Sequence, residues 1–130
     1  MTNRSFNAPG IAPPFSAYSH GVEIPPGARW LHVSGQVGVA PDGSLEQGFE
    51  AQAARCLDNL HAILSEAGMD WEDVVLVKSF LTRPENVGTW RVVREATLGA
   101  ARPASTLLII SGLAHPDWLI EVEVIAAKAE

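Results

Sequence analysis

The sequence predicts an α+β fold in which two helices lie on one face of a mixed β-sheet. Segments rich in β-branched residues are interleaved with two amphipathic segments of helical period. Hydrophobic residues make up 47% of the 130 residues and charged residues only 18%. A chain of this length and composition can build one hydrophobic core. We therefore expect a single domain over residues 1–130.

The first third of the chain predicts irregular structure followed by two strands. Residues 1–17 contain three prolines and a glycine, which favours an irregular segment. Residues 17–24 form the first strand candidate, and Pro25-Pro26-Gly27 is a turn signal. Residues 29–39 form the second, with Trp30, His32 and Ser34 on one face. Gly35 and Gly38 within it predict a bulge or a close backbone approach.

Two helices and a strand are predicted in the middle of the chain. Apolar residues recur at helical spacing between residues 47 and 67, and Gly68 is a C-cap signal. Residues 74–81 are rich in valine and predict a strand. Thr82 and Glu85 have capping-box spacing before a second helix that ends at Gly99, with Trp90 and Thr97 among the residues available for burial.

Two more strands are predicted at residues 105–111 and 119–127, and a short extra strand at residues 40–46 is compatible with the pattern. In the last strand Ile120, Val122 and Val124 lie on one face, with Glu121 and Glu123 on the other. The predicted order is β-β-α-β-α-β-β. Two helices cover one face of such a sheet, so the other face needs a partner subunit as its cover.

Charge and cysteine content limit the possible functions. The net charge is −6 and no run of basic residues occurs, which argues against a nucleic-acid partner. The single cysteine, Cys56, falls on the apolar face of the first helix and is expected to be an inert core thiol. Neither a signal peptide nor a membrane span is recognisable, so we expect a cytoplasmic protein without a membrane partner. No histidine spacing typical of a metal site occurs.

Several short motifs occur in an order and spacing that resemble those of the RidA (YjgF) family. Each motif alone is weak, but together they extend over nearly the whole chain. They are Tyr18-Ser19-His20, Ser34-Gly35-Gln36-Val37-Gly38, Leu57-Asp58-Asn59-Leu60, Ala67-Gly68 followed by Asp73-Val74-Val75, Pro103-Ala104, and Ile120 to Ala126.

The resemblance implies a chorismate-mutase-like fold and a homotrimer whose sheets form a central barrel. It also implies small-molecule binding in clefts at the subunit interfaces. The implied reaction is hydrolysis of reactive enamines or imines, such as 2-aminoacrylate, to keto acids and ammonia. No cofactor is implied.

The resemblance also implies roles for individual residues. Tyr18 matches a pocket tyrosine, and Glu121 matches a glutamate that positions or activates water. Ser34 and Gly35 match residues that line the cleft. The family's carboxylate-binding arginine follows Pro-Ala, and Ser105 stands at that position here. Arg91 matches a pocket asparagine of the second helix.

Alternatives stay open for these residues. From spacing alone, Glu121 and Glu123 are either a pair for acid–base chemistry or ordinary solvated glutamates. Arg91, Arg94 and Arg102 could together form a displaced anion clamp, whereas each alone is typical of a surface charge. Two functions are compatible with the sequence. One is a deaminase with a substrate other than 2-aminoacrylate, and the other is a non-catalytic trimer that binds a small molecule.

Overall fold

A four-stranded mixed sheet forms the centre of the computed structural model, which describes residues 2–130. Its strands are β3 (Arg29–Val37), β4 (Val74–Leu81), β5 (Ala104–Ile109) and β6 (Ile120–Lys128), in the spatial order β3-β6-β4-β5. β6 runs antiparallel to both of its neighbours, and β5 runs parallel to β4. The predicted mixed sheet is therefore confirmed, and β3 and β5 are its edge strands.

Two helices, α1 (Phe49–Glu66) and α2 (Val87–Leu98), cover one face of this sheet. The core lies between them and the strands, and its fully buried residues include Leu60, Leu64, Trp90, Ile120 and Val122. Gly68, just beyond α1, has φ of +70°, so the helix ends where a left-handed residue is available. None of the helices formed by residues 2–130 combines the length and apolarity needed to cross a bilayer.

The structure corrects the prediction for the N-terminal segment. Residues 1–17 are not wholly irregular, because β1 (Arg4–Phe6) pairs antiparallel with β2 (Gly21–Glu23) as a separate ribbon. The strand expected at residues 17–24 is reduced to the three residues of β2. The ribbon is held at the main sheet by the Asn3 side chain, which donates to the Ala127 carbonyl at 2.8 Å. Such long-range pairing has no local sequence signal.

Three smaller predictions were also wrong. Residues 40–46 form only an isolated bridge between Val39 and Leu45. The capping box at Thr82 and Glu85 does not form, because α2 is entered through a single 3₁₀ turn at Pro84–Asn86 without a side-chain cap. Thr97 is exposed, and the buried stripe of α2 is Trp90, Arg94 and Leu98.

Candidate active site

A bulge in β3 positions Ser34 and Gly35 beside the acidic residues of β6. Val33 pairs with Val124 and Gln36 with Val122, so Ser34 and Gly35 together oppose Glu123. This confirms the irregularity predicted at Gly35. A Cβ atom on Gly35 would collide with the Glu121 carboxylate. The missing side chain therefore leaves room for Glu121, and the structure brings Ser34, Gly35 and Glu121 together.

These residues lie on the face of the sheet that no helix covers, called the open face below. Glu121 and Glu123 alternate with the buried residues Val122 and Val124, as predicted. A groove of about 410 Å³ on this face is lined by His32, Ser34, Leu76, Lys78 and Glu123, among others. Lys78 and Glu123 are cross-strand partners in it.

Cys56 lies on the other side of the sheet from Glu121. Its thiol is fully buried and donates to the Gln36 carbonyl, with Sγ 3.3 Å from the oxygen. Burial, and then the negative charge of Glu121, raise the pKa of Cys56 to about 12. The thiol is protonated at neutral pH and is a poor nucleophile there, in agreement with the inert core role expected for it.

A second concavity lies at the β5 edge of the helix-covered face, and it is called the edge cavity below. It has a volume of about 190 Å³ and is lined by Phe15, Ser16, Tyr18, Arg91, Arg94, Ser105 and Leu107. Tyr18 is fixed at this edge because the next residue, Ser19, donates its backbone N–H to the Pro103 carbonyl at 3.0 Å. The Phe15 N–H donates to the Tyr18 hydroxyl at 3.2 Å.

Arg94 forms one wall of the edge cavity. It is only 3% exposed, which corrects its interpretation as a surface charge. Its guanidinium donates to Ser16 Oγ at 3.0 Å and lies 4.0 Å from a carboxylate oxygen of Glu95. Burial lowers the pKa of Arg94, and Glu95 opposes this shift. The sequence held a signal for this burial, since Arg94 follows Trp90 by four residues on the same helix face.

Ser105 faces α2 across the same cavity. It pairs with Val77, whose side chain is buried beneath the helices. The structure therefore brings Tyr18, Arg91 and Ser105 together, but on the face opposite to Ser34, Gly35 and Glu121. Within one chain, the sheet separates the two groups of predicted site residues.

Two polar residues of α1 brace the segments that flank the open face. Gln52 is buried, and its side chain accepts from Leu119 N at 2.9 Å and donates to the Asp117 and Glu46 carbonyls. Asn59 donates to the Val37 and Val39 carbonyls at 3.3 and 3.0 Å. The ends of β3 and β6 that flank Glu121 are thus tied to α1.

Comparison with known proteins identifies the family. Residues 10–128 match the family model described as endoribonuclease L-PSP. The RutC family protein YjgH of Escherichia coli is 40% identical over 102 residues, which cover 77% of this chain and 76% of that protein. The 2-iminobutanoate/2-iminopropanoate deaminase of the same species is 31% identical, over 94% of this chain and 93% of the deaminase.

Solved structures agree with these matches. The Rid-family protein YyfB of Yersinia pestis superposes with a TM-score of 0.86 at 32% identity, covering 97% of this chain and 98% of that one. A RidA protein from an Antarctic Psychrobacter gives a TM-score of 0.73 at 27% identity, over 95% and 98% of the two chains. By sequence and by fold, this chain belongs to the endoribonuclease L-PSP family of RidA/YjgF-like proteins.

Proposed function

We propose that this protein is a hydrolytic deaminase of a reactive enamine or imine metabolite. The observation that carries the proposal is the edge cavity, where Tyr18 and Ser105 face two arginines. A volume of about 190 Å³ is smaller than the roughly 300–1,000 Å³ of pockets for drug-sized ligands, so it suits a small metabolite. Mouse and E. coli relatives named as 2-iminobutanoate/2-iminopropanoate deaminases support the reaction class.

The proposed reaction adds water across a C=N bond and then expels ammonia. The water oxygen bonds to the imine carbon as the π electrons move to nitrogen. The Glu121 carboxylate accepts a proton from the attacking water and passes it to nitrogen, which gives a carbinolamine. The carbinolamine hydroxyl then gives up its proton, which Glu121 passes to the amino nitrogen. The C–N bond breaks and ammonia leaves as the C=O bond forms. Tyr18 donates a hydrogen bond in the pocket through its phenol hydroxyl.

The active form we propose is a homotrimer with its pockets between subunits and its sheets around a central barrel. The open face supports this assembly, because Trp30 is 56% and Leu108 48% exposed there without a covering helix. Since Tyr18 and Glu121 lie on opposite faces of one chain, a complete site takes Tyr18 from one subunit and Glu121 from a neighbour.

The substrate we propose differs from 2-aminoacrylate. In the family pattern an arginine at the Ser105 position grips the substrate carboxylate through two charge-assisted hydrogen bonds. Serine offers one neutral hydrogen bond. A charged hydrogen bond contributes about 1–3 kcal/mol. Losing the arginine therefore weakens the binding of a carboxylate at β5 by roughly ten- to a hundredfold.

The proposal is tested by generating 2-imino acids in situ with an amino-acid oxidase and trapping them with semicarbazide. A deaminase competes with the trap, so it lowers the rate of semicarbazone formation and yields the 2-oxo acid instead. We expect at least one imine in a panel made from different amino acids to be hydrolysed faster than 2-aminoacrylate. Binding of 2-oxo acids without hydrolysis of any imine would instead support a non-catalytic, ligand-binding trimer.

A further inference from the structure

Positive charge is concentrated around the edge cavity of an otherwise acidic protein. The chain has nine lysines and arginines and a net charge of −6. Arg91 and Arg94 line the cavity, and Arg102 is close enough for its charge to act on Arg94. The carboxylate that opposes them, Glu95, is 4.0 Å from Arg94 and its side chain is 44% exposed. The cavity therefore has an excess of cations.

The buried guanidinium of Arg94 makes one hydrogen bond to the residues that the structure describes, 2–130. Burying a charge is costly unless partners replace the lost water, and an arginine has five N–H donors to satisfy. Arg94 has a neutral hydroxyl, Ser16 Oγ, at 3.0 Å and only a distant carboxylate. Arg91 adds a buried Nε without a hydrogen-bond partner in the described chain. An anion in the cavity would complete the hydrogen bonding of both side chains.

We infer that Arg94, assisted by Arg91, binds the carboxylate of the substrate from α2. This inference rests on the proposed deaminase function and names the residues that bind the carboxylate of an anionic imino-acid substrate. This arginine pair, called the clamp below, lies on the α2 side of the cavity and not on β5. The substrate carboxylate then lies against α2, with Tyr18 and Ser105 on the other walls. Neutral imines of the same size are excluded as good substrates.

Binding of a product-like acid tests the clamp without requiring turnover. The probes are 2-oxobutanoate and its uncharged amide, 2-oxobutanamide, titrated into the assembled protein by calorimetry. We expect the acid to bind, its affinity to fall as salt rises, and the amide to bind at least tenfold more weakly. Equal binding of acid and amide would overturn the inference.

Three variants locate the clamp. Arg94→Lys keeps the charge but loses the planar fork, and Arg91→Met removes the second guanidinium. We expect each to weaken 2-oxobutanoate binding by about tenfold or more. Arg83→Met is the matched control, since Arg83 is exposed before α2 and outside the cavity, so it should bind as the wild type does. Normal affinity in both cavity variants would contradict the clamp.

Folding and function are separated by two further readouts. Melting temperatures show whether Arg94→Lys is folded, and if it is not, Arg91→Met and the amide comparison decide alone. If Arg94→Lys hydrolyses imines with an unchanged KM, the clamp is contradicted and the deaminase function is supported. The wild type could hydrolyse no imine while the variants still lose acid binding. That result would support the clamp and contradict the deaminase function.

Discussion

The two faces of the sheet differ in what their side chains can do. The helix-covered face is packed mainly with apolar residues, and at its β5 edge Tyr18, Arg94 and Ser105 line a small cavity. The open face carries the carboxylates Glu121 and Glu123 among exposed large residues. The side chains that we propose to bind an anion and those that we propose to move a proton are thus on opposite faces of the sheet. We call these two groups the edge-cavity half-site and the open-face half-site.

Disrupting the open face is expected to have the largest effect. Leu108→Lys introduces a charge into a surface that we propose to be buried between subunits, so the trimer should dissociate and hydrolysis should be lost. Sedimentation should then give a mass near the monomer's 13.9 kDa, against three times that value for the wild type. Ala62→Lys, on an exposed helix position, is the control and should leave the assembly intact. A wild-type protein that sediments as a monomer would contradict the assembly.

The next largest effect is expected from the carboxylate on the open face. Glu121→Gln keeps the shape of the side chain and removes its charge, so folding should survive. Turnover of an accepted imine should fall on the order of a hundredfold, as is usual for general acid–base groups. Glu123→Gln is the same change two residues along the same face and should retain most activity. A dead Glu123→Gln beside a normal Glu121→Gln would assign the chemistry to the other carboxylate.

Adding a methyl group at Gly35 should lower turnover less than Glu121→Gln does, although it acts on the same half-site. The added Cβ would collide with the end of the Glu121 side chain, which can swing away with little cost in stability. We expect Gly35→Ala to keep the wild-type melting temperature while turnover falls by about tenfold, because a displaced carboxylate is out of position. Gly112→Ala, where an added Cβ meets nothing within 4 Å, is the control. Full activity in Gly35→Ala would argue against a catalytic position for Glu121.

The smallest effect concerns Cys56, whose side chain is buried on the other side of the sheet from Glu121. Its raised pKa, about 12, keeps the thiol protonated in the folded state, whereas the unfolded thiol ionises near 8.5. Stability from this group is therefore complete below about pH 8.5 and is lost as the pH rises towards 12. A thiol reagent should label the native protein slowly and the unfolded protein fast at pH 8. Fast native labelling would contradict the burial.

Much of this fold is readable from local patterns. The alternation of Ile120, Val122 and Val124 with Glu121 and Glu123 predicted both faces of β6, and the apolar period of α1 predicted its buried side. The N-terminal ribbon was missed because Arg4 and Glu23 are paired by distant contacts and not by a local pattern. The capping-box spacing at Thr82 also misled, because Arg83 and not Thr82 stands at the N-cap of the turn that leads into α2.

The candidate site was less predictable than the fold. The motifs named Tyr18, Glu121 and Ser105, and alternation predicted that Glu121 points away from the core. The face that Ser105 occupies depends on strand register, as its pairing with Val77 illustrates. Arg94 was interpreted as a surface charge because its residue type is usually exposed. Its spacing from Trp90 indicates the buried face of α2, but the contact with Ser16 of the N-terminal segment has no signal in sequence spacing.

Subunit complementation tests the two half-sites most directly. Glu121→Gln disables the open-face half-site, and Ser105→Phe fills the edge cavity, so each variant alone should form an inactive trimer. In randomly mixed trimers, about one quarter of the interfaces would combine an intact cavity from one subunit with an intact Glu121 from its neighbour. We predict that co-assembly restores about a quarter of the wild-type activity. Verified mixed trimers without recovery would contradict a site shared between subunits.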